Sequence, residues 1–405
     1  MPVTIDDIEA ARARIADGVV LTPCARSIPL SELCHNTIYC KLDALQRTGS
    51  FKERGARNAL LLLDDVSRKC GVIAASAGNH ALGLAYHGGL LGIPVTVVMP
   101  RFAPLIKVST CRQLGARVIQ QGDTFSEVRA VADKEAAQQG LTYIHGFDDP
   151  AIIAGQGTMG LEVLEQVPDV DAIVVPVGGA GLIAGVALAV KMKRPEVRII
   201  GVEAENTGCF AAAMKAGKPV PVAMRATLAD GLAVGQVGDA SFTIAKQHVD
   251  QVVQVNEQAL ALAIVRLIER EKIVIEGAAA APLAAFLSGQ LDDLRDKNVV
   301  LALCGGNIDL TILDRVISLG LVADGRLCRF TAVISDRPGG LAQLAQVIAA
   351  TGASVKEIVH DRAFSGPDVA AVRTVCIVET HDQAHVAQVM DALKAAGIEL
   401  IRTHI

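Results

Sequence analysis

The stretch IVVPVGGAGLIAGVALAV, residues 173–190, decides the fold. It carries no charge and approaches the length of a membrane span. Pro176 and the run Gly178, Gly179, Ala180, Gly181 split it after a short β-branched segment. It therefore reads as a strand, a glycine turn and a helix, not as a span.

The same unit repeats on either side. β-Branched runs near Val72, Val97, Val118, Val174, Ile200 and Leu301 alternate with helix-like stretches such as Glu53–Leu63, His80–Gly88, Pro104–Leu114 and Ile183–Lys191. Strand–helix alternation predicts parallel βαβ units, hence open, doubly wound α/β sheets with helices on both faces. Ligands in such sheets sit beyond the carboxyl ends of the strands, so the turns directly after the strands carry the function.

The pattern changes near Leu319. Residues 320–328 (GLVADGRLC) read as a linker between a domain of residues 1–319 and one of residues 329–405. RFTAVISD, GGLAQLAQVIAATG, ASVKEIVHDR, VRTVCIVETH, Gln383–Ala396 and IELIRTHI then give β-α-β-β-α-β, a ferredoxin-like unit. In the first domain, residues of about 45–150 are expected to form a smaller subdomain inserted in a larger one.

Composition fits this plan. Apolar residues make up 51% and aromatics 3%, so the core must be built of Ala, Val, Ile and Leu, as buried parallel strands require. The net charge of −5 comes without a long Lys/Arg cluster, which argues against a nucleic-acid or membrane partner. Nine cysteines lack C-x-x-C spacing, and the N-terminus has no apolar signal core. A reducing cytoplasm is the expected location.

Four polar or Gly-rich clusters follow strand candidates. In Gly49-Ser50-Phe51-Lys52-Glu53-Arg54-Gly55-Ala56, a lysine opens a helix. The helix N-terminus and partial burial both disfavour its ammonium form, and such an amine can form a Schiff base and act as a base. Taken alone, Lys52 equally suits an exposed first turn. Ser76-Ala77-Gly78-Asn79-His80 could present backbone N–H groups to a carboxylate, or be an ordinary capped turn. Gly178-Gly179-Ala180-Gly181-Leu182 could cradle a phosphate. It also satisfies G-x-G-x-x-A through Gly179, Gly181 and Ala184, with Glu203 placed as a ribose-binding acid, so a nicotinamide-dependent oxidoreductase is a rival. In Leu303-Cys304-Gly305-Gly306-Asn307, a thiol follows a strand; it could face a ring nitrogen or simply be buried.

In order along the chain, T-G-S-F-K-E-R-G-A at Thr48–Ala56, S-A-G-N-H-A at Ser76–Ala81, D-D-P at Asp148–Pro150 and A-G-Q-G-T at Ala154–Thr158 resemble fold-type II pyridoxal-phosphate enzymes, specifically the threonine dehydratase and serine racemase group. The V-E-G-A element over Val274–Ala278 matches only with Ile275 interposed. The resemblance spans essentially the whole chain and implies the tryptophan synthase β-like fold. It also explains Lys52, which the nicotinamide reading does not. It implies that Lys52 holds pyridoxal 5'-phosphate covalently, that Phe51 packs near its ring, and that Asn79 meets its phenolic oxygen. Gly178, Gly179, Ala180, Gly181 and Leu182 would bind its phosphate, and Cys304 would face the pyridine nitrogen. Ser76, Ala77, Gly78, Asn79 and His80 would grip the substrate carboxylate.

Three departures from the family pattern carry expectations. Ala180 stands where a glycine is usual, which requires a negative φ there. Cys304 replaces a common serine. Cys209 stands near where relatives with a divalent-cation site carry an acid, which argues against a tight metal site. The C-terminal unit, with Asp336-Arg337-Pro338-Gly339 in its first β–α turn, resembles an ACT domain, implying an amino-acid effector or a purely oligomerising role in a homodimer or homotetramer.

The implied activity is β-elimination from L-threonine to 2-oxobutanoate and ammonia, and from L-serine to pyruvate. Lys52, once freed, removes the Cα proton as general base. Ala77 stands where the group's racemases carry a serine acid/base, which favours a dehydratase over a racemase. A 3-hydroxyaspartate dehydratase and a silent amino-acid sensor remain as alternatives, and both a catabolic and an isoleucine-forming role stay open.

Overall fold

The computed structural model describes residues 3–361 and 370–404. Arg362 and Ile405, which end two of the expected strands, lie outside the described residues. The chain divides into two units, at Asp309/Leu310.

In the first unit, β1 (Cys24–Ser27), β2 (Thr37–Lys41), β7 (Ala172–Pro176), β8 (Arg198–Ala204), β9 (Gln251–Val255) and β10 (Asn298–Ala302) form one sheet. The order is β1-β2-β10-β7-β8-β9, with only β1 antiparallel to its neighbour. The chain between β2 and β7 builds a second, all-parallel sheet from β3 (Val72–Ala75), β4 (Val95–Met99), β5 (Arg117–Gln120) and β6 (Thr142–Tyr143), ordered β5-β4-β3-β6. Strand pleating sends successive side chains to opposite faces. Val72, Ala74, Val95, Val97 and Met99 accordingly fill one core while Ile73, Ala75 and Val98 fill another. Both faces are covered by helices, which is why these strands read as unbroken apolar runs.

The second unit opens with a helix, Leu310–Ala323, and continues as β11 (Leu327–Ser335), a helix Gly340–Ala350, β12 (Ser354–Asp361), β13 (Ala371–Glu379), a helix Gln383–Ala395 and β14 (Glu399–His404). The sheet order β12-β13-β11-β14, antiparallel throughout, is that of a ferredoxin-like unit. Cys328, Phe330, Ala332 and Ile334 alternate inward on β11 and pack with Leu344, Ile348, Val386, Val389 and Leu393 of the two covering helices.

Residues 320–328 are not a linker. Gly320–Ala323 finish a helix, and Leu327 and Cys328 already lie in β11. Gly320 is buried one turn after Val316 on the same side of the helix, where a single glycine is tolerated. The break comes instead at Gly325, whose φ of 70° forms the turn, with Arg326 N donating to Leu321 O at 2.8 Å.

Candidate functional site

The turns after β3, β7 and β10 converge on one cavity of about 420 Å³ in the first unit. Phe51, Lys52, Ser76, Ala77, Gly78, Asn79, His80, Gly178, Gly179, Ala180, Gly181, Leu182 and Cys304 all line it. Every residue that the resemblance assigns to the cofactor or to the substrate carboxylate is therefore brought to the same place.

Lys52 opens the helix Lys52–Leu61. The loop before it is sewn to the turn after β10: Phe51 N donates to Cys304 O at 3.0 Å, and Gly306 N donates to Gly49 O at 2.9 Å. The Lys52 Nζ donates to the Gly146 carbonyl at 2.6 Å and lies 5.1 Å from the centre of the Phe51 ring. Surrounding protein strips water from the amine and pushes its pKa down to about 8; Cys304 and Glu276 oppose that shift. The amine is thus available in neutral form close to neutral pH.

Gly146 and Phe147 lie on the segment returning from the second sheet, and Asp148 and Asp149 anchor it. Asp148 accepts from Asp239 N (3.0 Å) and Ser241 N (2.9 Å), while Asp149 accepts from Ala151 N (2.8 Å) and Ile152 N (3.2 Å). The D-D-P element is therefore a double helix cap that fixes the carbonyl holding Lys52. The Phe147 ring and backbone fill the space a Cβ would need at Gly179 and Gly181, so only glycine fits at those two positions.

Ala180 departs from expectation. Its φ is 72° and its ψ is −1°, the left-handed region, at the N-cap of helix Gly181–Lys193. Its two flanking glycines are packed against Phe147, so the turn is held from both sides and the alanine takes the strain.

The turn after β3 leads into the helix Asn79–Leu91. His80 points away from this turn: its ring donates to Ile144 O at 3.1 Å and burial pushes its pKa down to about 3, so it is neutral. Its imidazole is therefore taken up by Ile144 O, and what His80 brings to this turn is its backbone. Burial raises the Cys304 thiol well above its usual range, with Glu276 and Asp43 adding to the effect. Cys304 is thus a neutral thiol.

Glu203 is not available to a ribose. It is buried and accepts from Phe210 N (2.9 Å), Ala211 N (3.1 Å) and Gln254 Nε2 (2.8 Å). This removes the acid that the nicotinamide reading needs.

Three residues with no assigned role in the sequence also line the cavity. Glu276 is buried, accepts from Asn79 Nδ2 at 2.8 Å, and is pushed up to about 7 by burial and by Asp230. Lys107 pairs with Asp230 at 3.3 Å. Glu276 left a signal in the sequence, as the one acid in the run Ile273–Ala281, whereas Lys107 and Asp230 sit in stretches with no motif.

The site fits pyridoxal phosphate: a partly buried lysine of lowered pKa, a turn of small residues at a helix N-terminus, and a neutral thiol share one cavity. The pyridoxal-phosphate dependent enzyme family model matches residues 15–305. Over 398 residues the chain is 43% identical to the L-threonine ammonia-lyase of Thermotoga maritima, covering 98% of this chain and 99% of that protein. Among solved structures, the processed threonine deaminase isoform 2 from Solanum lycopersicum is similar at a TM-score of 0.74 and 34% identity, covering 79% of this chain and 95% of that one. Serine racemase from Dictyostelium discoideum is similar at a TM-score of 0.72 and 35% identity, covering 76% and 99%. By these matches, the chain belongs to the pyridoxal-phosphate dependent enzyme family.

Proposed function

We propose that this chain is an L-threonine ammonia-lyase that also accepts L-serine. The observation that carries the reading is Lys52 itself, an amine of pKa about 8 held by the Gly146 carbonyl in the cavity shared with the turns at Ser76–His80 and Gly178–Leu182. The end-to-end similarity to a protein named L-threonine ammonia-lyase supports the substrate.

When bound, the cofactor supplies a ring that takes up the electron pair left by a departing Cα proton. The chain does the rest. Backbone N–H groups at the start of helix Asn79–Leu91 hold the substrate carboxylate and fix the Cα–H bond's direction. Lys52 Nζ accepts the Cα proton. The β-hydroxyl leaves as water with the proton that Lys52 has accepted, and the released enamine hydrolyses to a 2-oxo acid and ammonia. Cys304, a neutral thiol, offers no negative charge to a ring nitrogen, so charge is drained by the leaving group and elimination is favoured. Ala77 offers no acid on the opposite face, which disfavours racemisation.

One observation bears on a 3-hydroxyaspartate substrate. Lys107 adds a cation to the cavity, but Asp230 already neutralises it. The C-terminal ferredoxin-like unit suits an amino-acid effector and assembly into a homodimer or homotetramer. Nine free thiols fit the cytoplasm, and among the described residues no helix is long and apolar enough to cross a membrane.

The deciding measurement is 2-oxobutanoate and pyruvate formation from L-threonine and L-serine by wild type and Lys52→Ala. Threonine turnover that vanishes in the variant supports the reading. No turnover of either amino acid by the loaded wild-type enzyme rejects it.

A further inference from the structure

Asn307 follows β10 and is not among the residues that line the cavity. Its amide nevertheless joins two loops of the site. Asn307 Nδ2 donates to Thr48 O at 2.7 Å and to Asn79 Oδ1 at 2.9 Å. Asn79 Nδ2 in turn donates to Glu276 Oε1 at 2.8 Å. The direction of this chain is fixed at one end, because a backbone carbonyl can only accept. Thr48 O therefore demands the amino side of Asn307. That side's second N–H then demands the carbonyl side of Asn79, which turns the Asn79 amino group toward Glu276 and the cavity. One Asn79 N–H goes to Glu276, and among the described residues nothing accepts the other.

Gly49 leaves the room that the Asn307 amide occupies. Gly49 has a φ of 76°, and a Cβ there would come within 2.5 Å of Asn307 Oδ1. Glycine at position 49 thus serves both the turn and the seat of the Asn307 amide.

We propose that Asn307 is a positioning residue: it fixes which way the Asn79 amide faces, so that an N–H and not a carbonyl oxygen is presented to the cofactor's phenolic oxygen. This inference rests on the reading that Asn79 meets that oxygen. An N–H at the oxygen lowers its basicity, and hence that of the lysine-linked imine beside it. Turning the amide over replaces a donor with an acceptor and raises that basicity.

The test is the visible absorption of the holoenzyme followed against pH, for wild type, Asn79→Ala, Asn307→Asp and the double variant. Asn307→Asp removes the donor that Thr48 O requires while keeping the size of the side chain. The expected result is a titration midpoint raised by about one pH unit, a tenfold change in the proton equilibrium, in both single variants. In the double variant, Asn307→Asp adds nothing to the effect of Asn79→Ala. An Asn307→Asp shift that persists in full without the Asn79 amide would mean that the new charge acts directly, and overturns the proposal. A shift in Asn79→Ala with none in Asn307→Asp overturns the proposal and leaves the Asn79 reading standing. No shift in Asn79→Ala removes that reading and the proposal with it. Should Asn307→Asp fail to fold by circular dichroism, Asn307→Ser, which keeps a donor but cannot span both partners, takes its place. Failure of both to fold overturns the proposal, since Asn307 would then be holding the fold and not an amide.

Discussion

Arg54 and Asp43 meet as a fork with no exposed surface on either side chain: Nε to Oδ2 at 2.6 Å and the second terminal nitrogen to Oδ1 at 2.9 Å. On its other side Arg54 reaches Glu162 at 2.6 and 2.8 Å, and Glu162 also takes Lys41 at 2.6 Å. Two cations and two anions thus balance inside the first unit, directly beneath the helix that begins at Lys52. Removing one member strands the others.

Arg54→Met therefore leaves two buried carboxylates facing Lys41 alone. Breaking a buried pair in this way costs roughly 3–5 kcal/mol. Arg54→Lys does not restore it, because an ammonium cannot make the fork. The expected outcome is a much lower urea midpoint for both variants, with activity falling alongside it because the Lys52 helix loses its seat. A midpoint within experimental error of wild type for Arg54→Met rules this account out.

Ala180 stores strain that glycine would release. A left-handed alanine costs about 1–2 kcal/mol, against about 0.5–1 kcal/mol for the extra freedom glycine has in the unfolded chain. Ala180→Gly should raise stability by about 0.5–1 kcal/mol in a denaturant titration. Ala180→Val, β-branched at the same φ of 72°, should lower it and weaken cofactor retention.

How far the sequence could be read follows from these same forces. The strands at Val72, Val97, Val174 and Leu301 were legible because burial on both faces makes them apolar throughout. β1 and β9, the two edges of the large sheet, were not: CARS and QVVQV are short and partly polar, as edges are. The lysine, the turns and the thiol were legible as local motifs. Glu276, Lys107 and Asp230 were not assigned, because their roles come from long-range approach. The φ of Ala180 went the other way from expectation because the packing of its glycine neighbours on Phe147 outweighs a local preference.

Cys304 should be chemically quiet. Burial holds it as a thiol, and only the thiolate reacts. Cys70 is the exposed cysteine of the nine. Limited iodoacetamide treatment at pH 8, read by mass spectrometry, should label Cys70 first and Cys304 only on unfolding. Early labelling of Cys304 would mean a thiolate, and would remove the argument that a neutral group faces the ring nitrogen.

Lys52 should give a distinctive rate profile when the apoprotein is reconstituted. The amine must be neutral to attack the cofactor aldehyde, and its pKa is lowered from 10.5 to about 8. The rate of appearance of the visible band should rise about tenfold per pH unit below 8 and then level. A rate still climbing at pH 10 would mean an ordinary lysine. Near pH 7 the lowered pKa provides about three hundred times more neutral amine than an unperturbed lysine would.

Glu276 makes the last prediction, and its sign follows from proton binding. Its pKa is raised from 4.5 to about 7 by burial first and Asp230 second. Between those two pH values the folded protein holds a proton that the unfolded chain has released. Stability therefore falls as pH rises through this window, by about 3 kcal/mol in all, and changes no further above it. Glu276→Gln keeps an oxygen to accept from Asn79 and carries no charge. Urea titrations of the apoprotein should find the variant close to wild type at pH 5. It should grow more stable than wild type as the pH approaches 7.5, and the gap should then hold constant. A gap that does not vary with pH would show that Glu276 ionises like an exposed carboxylate, and that the cavity at that point is wetter than its burial implies.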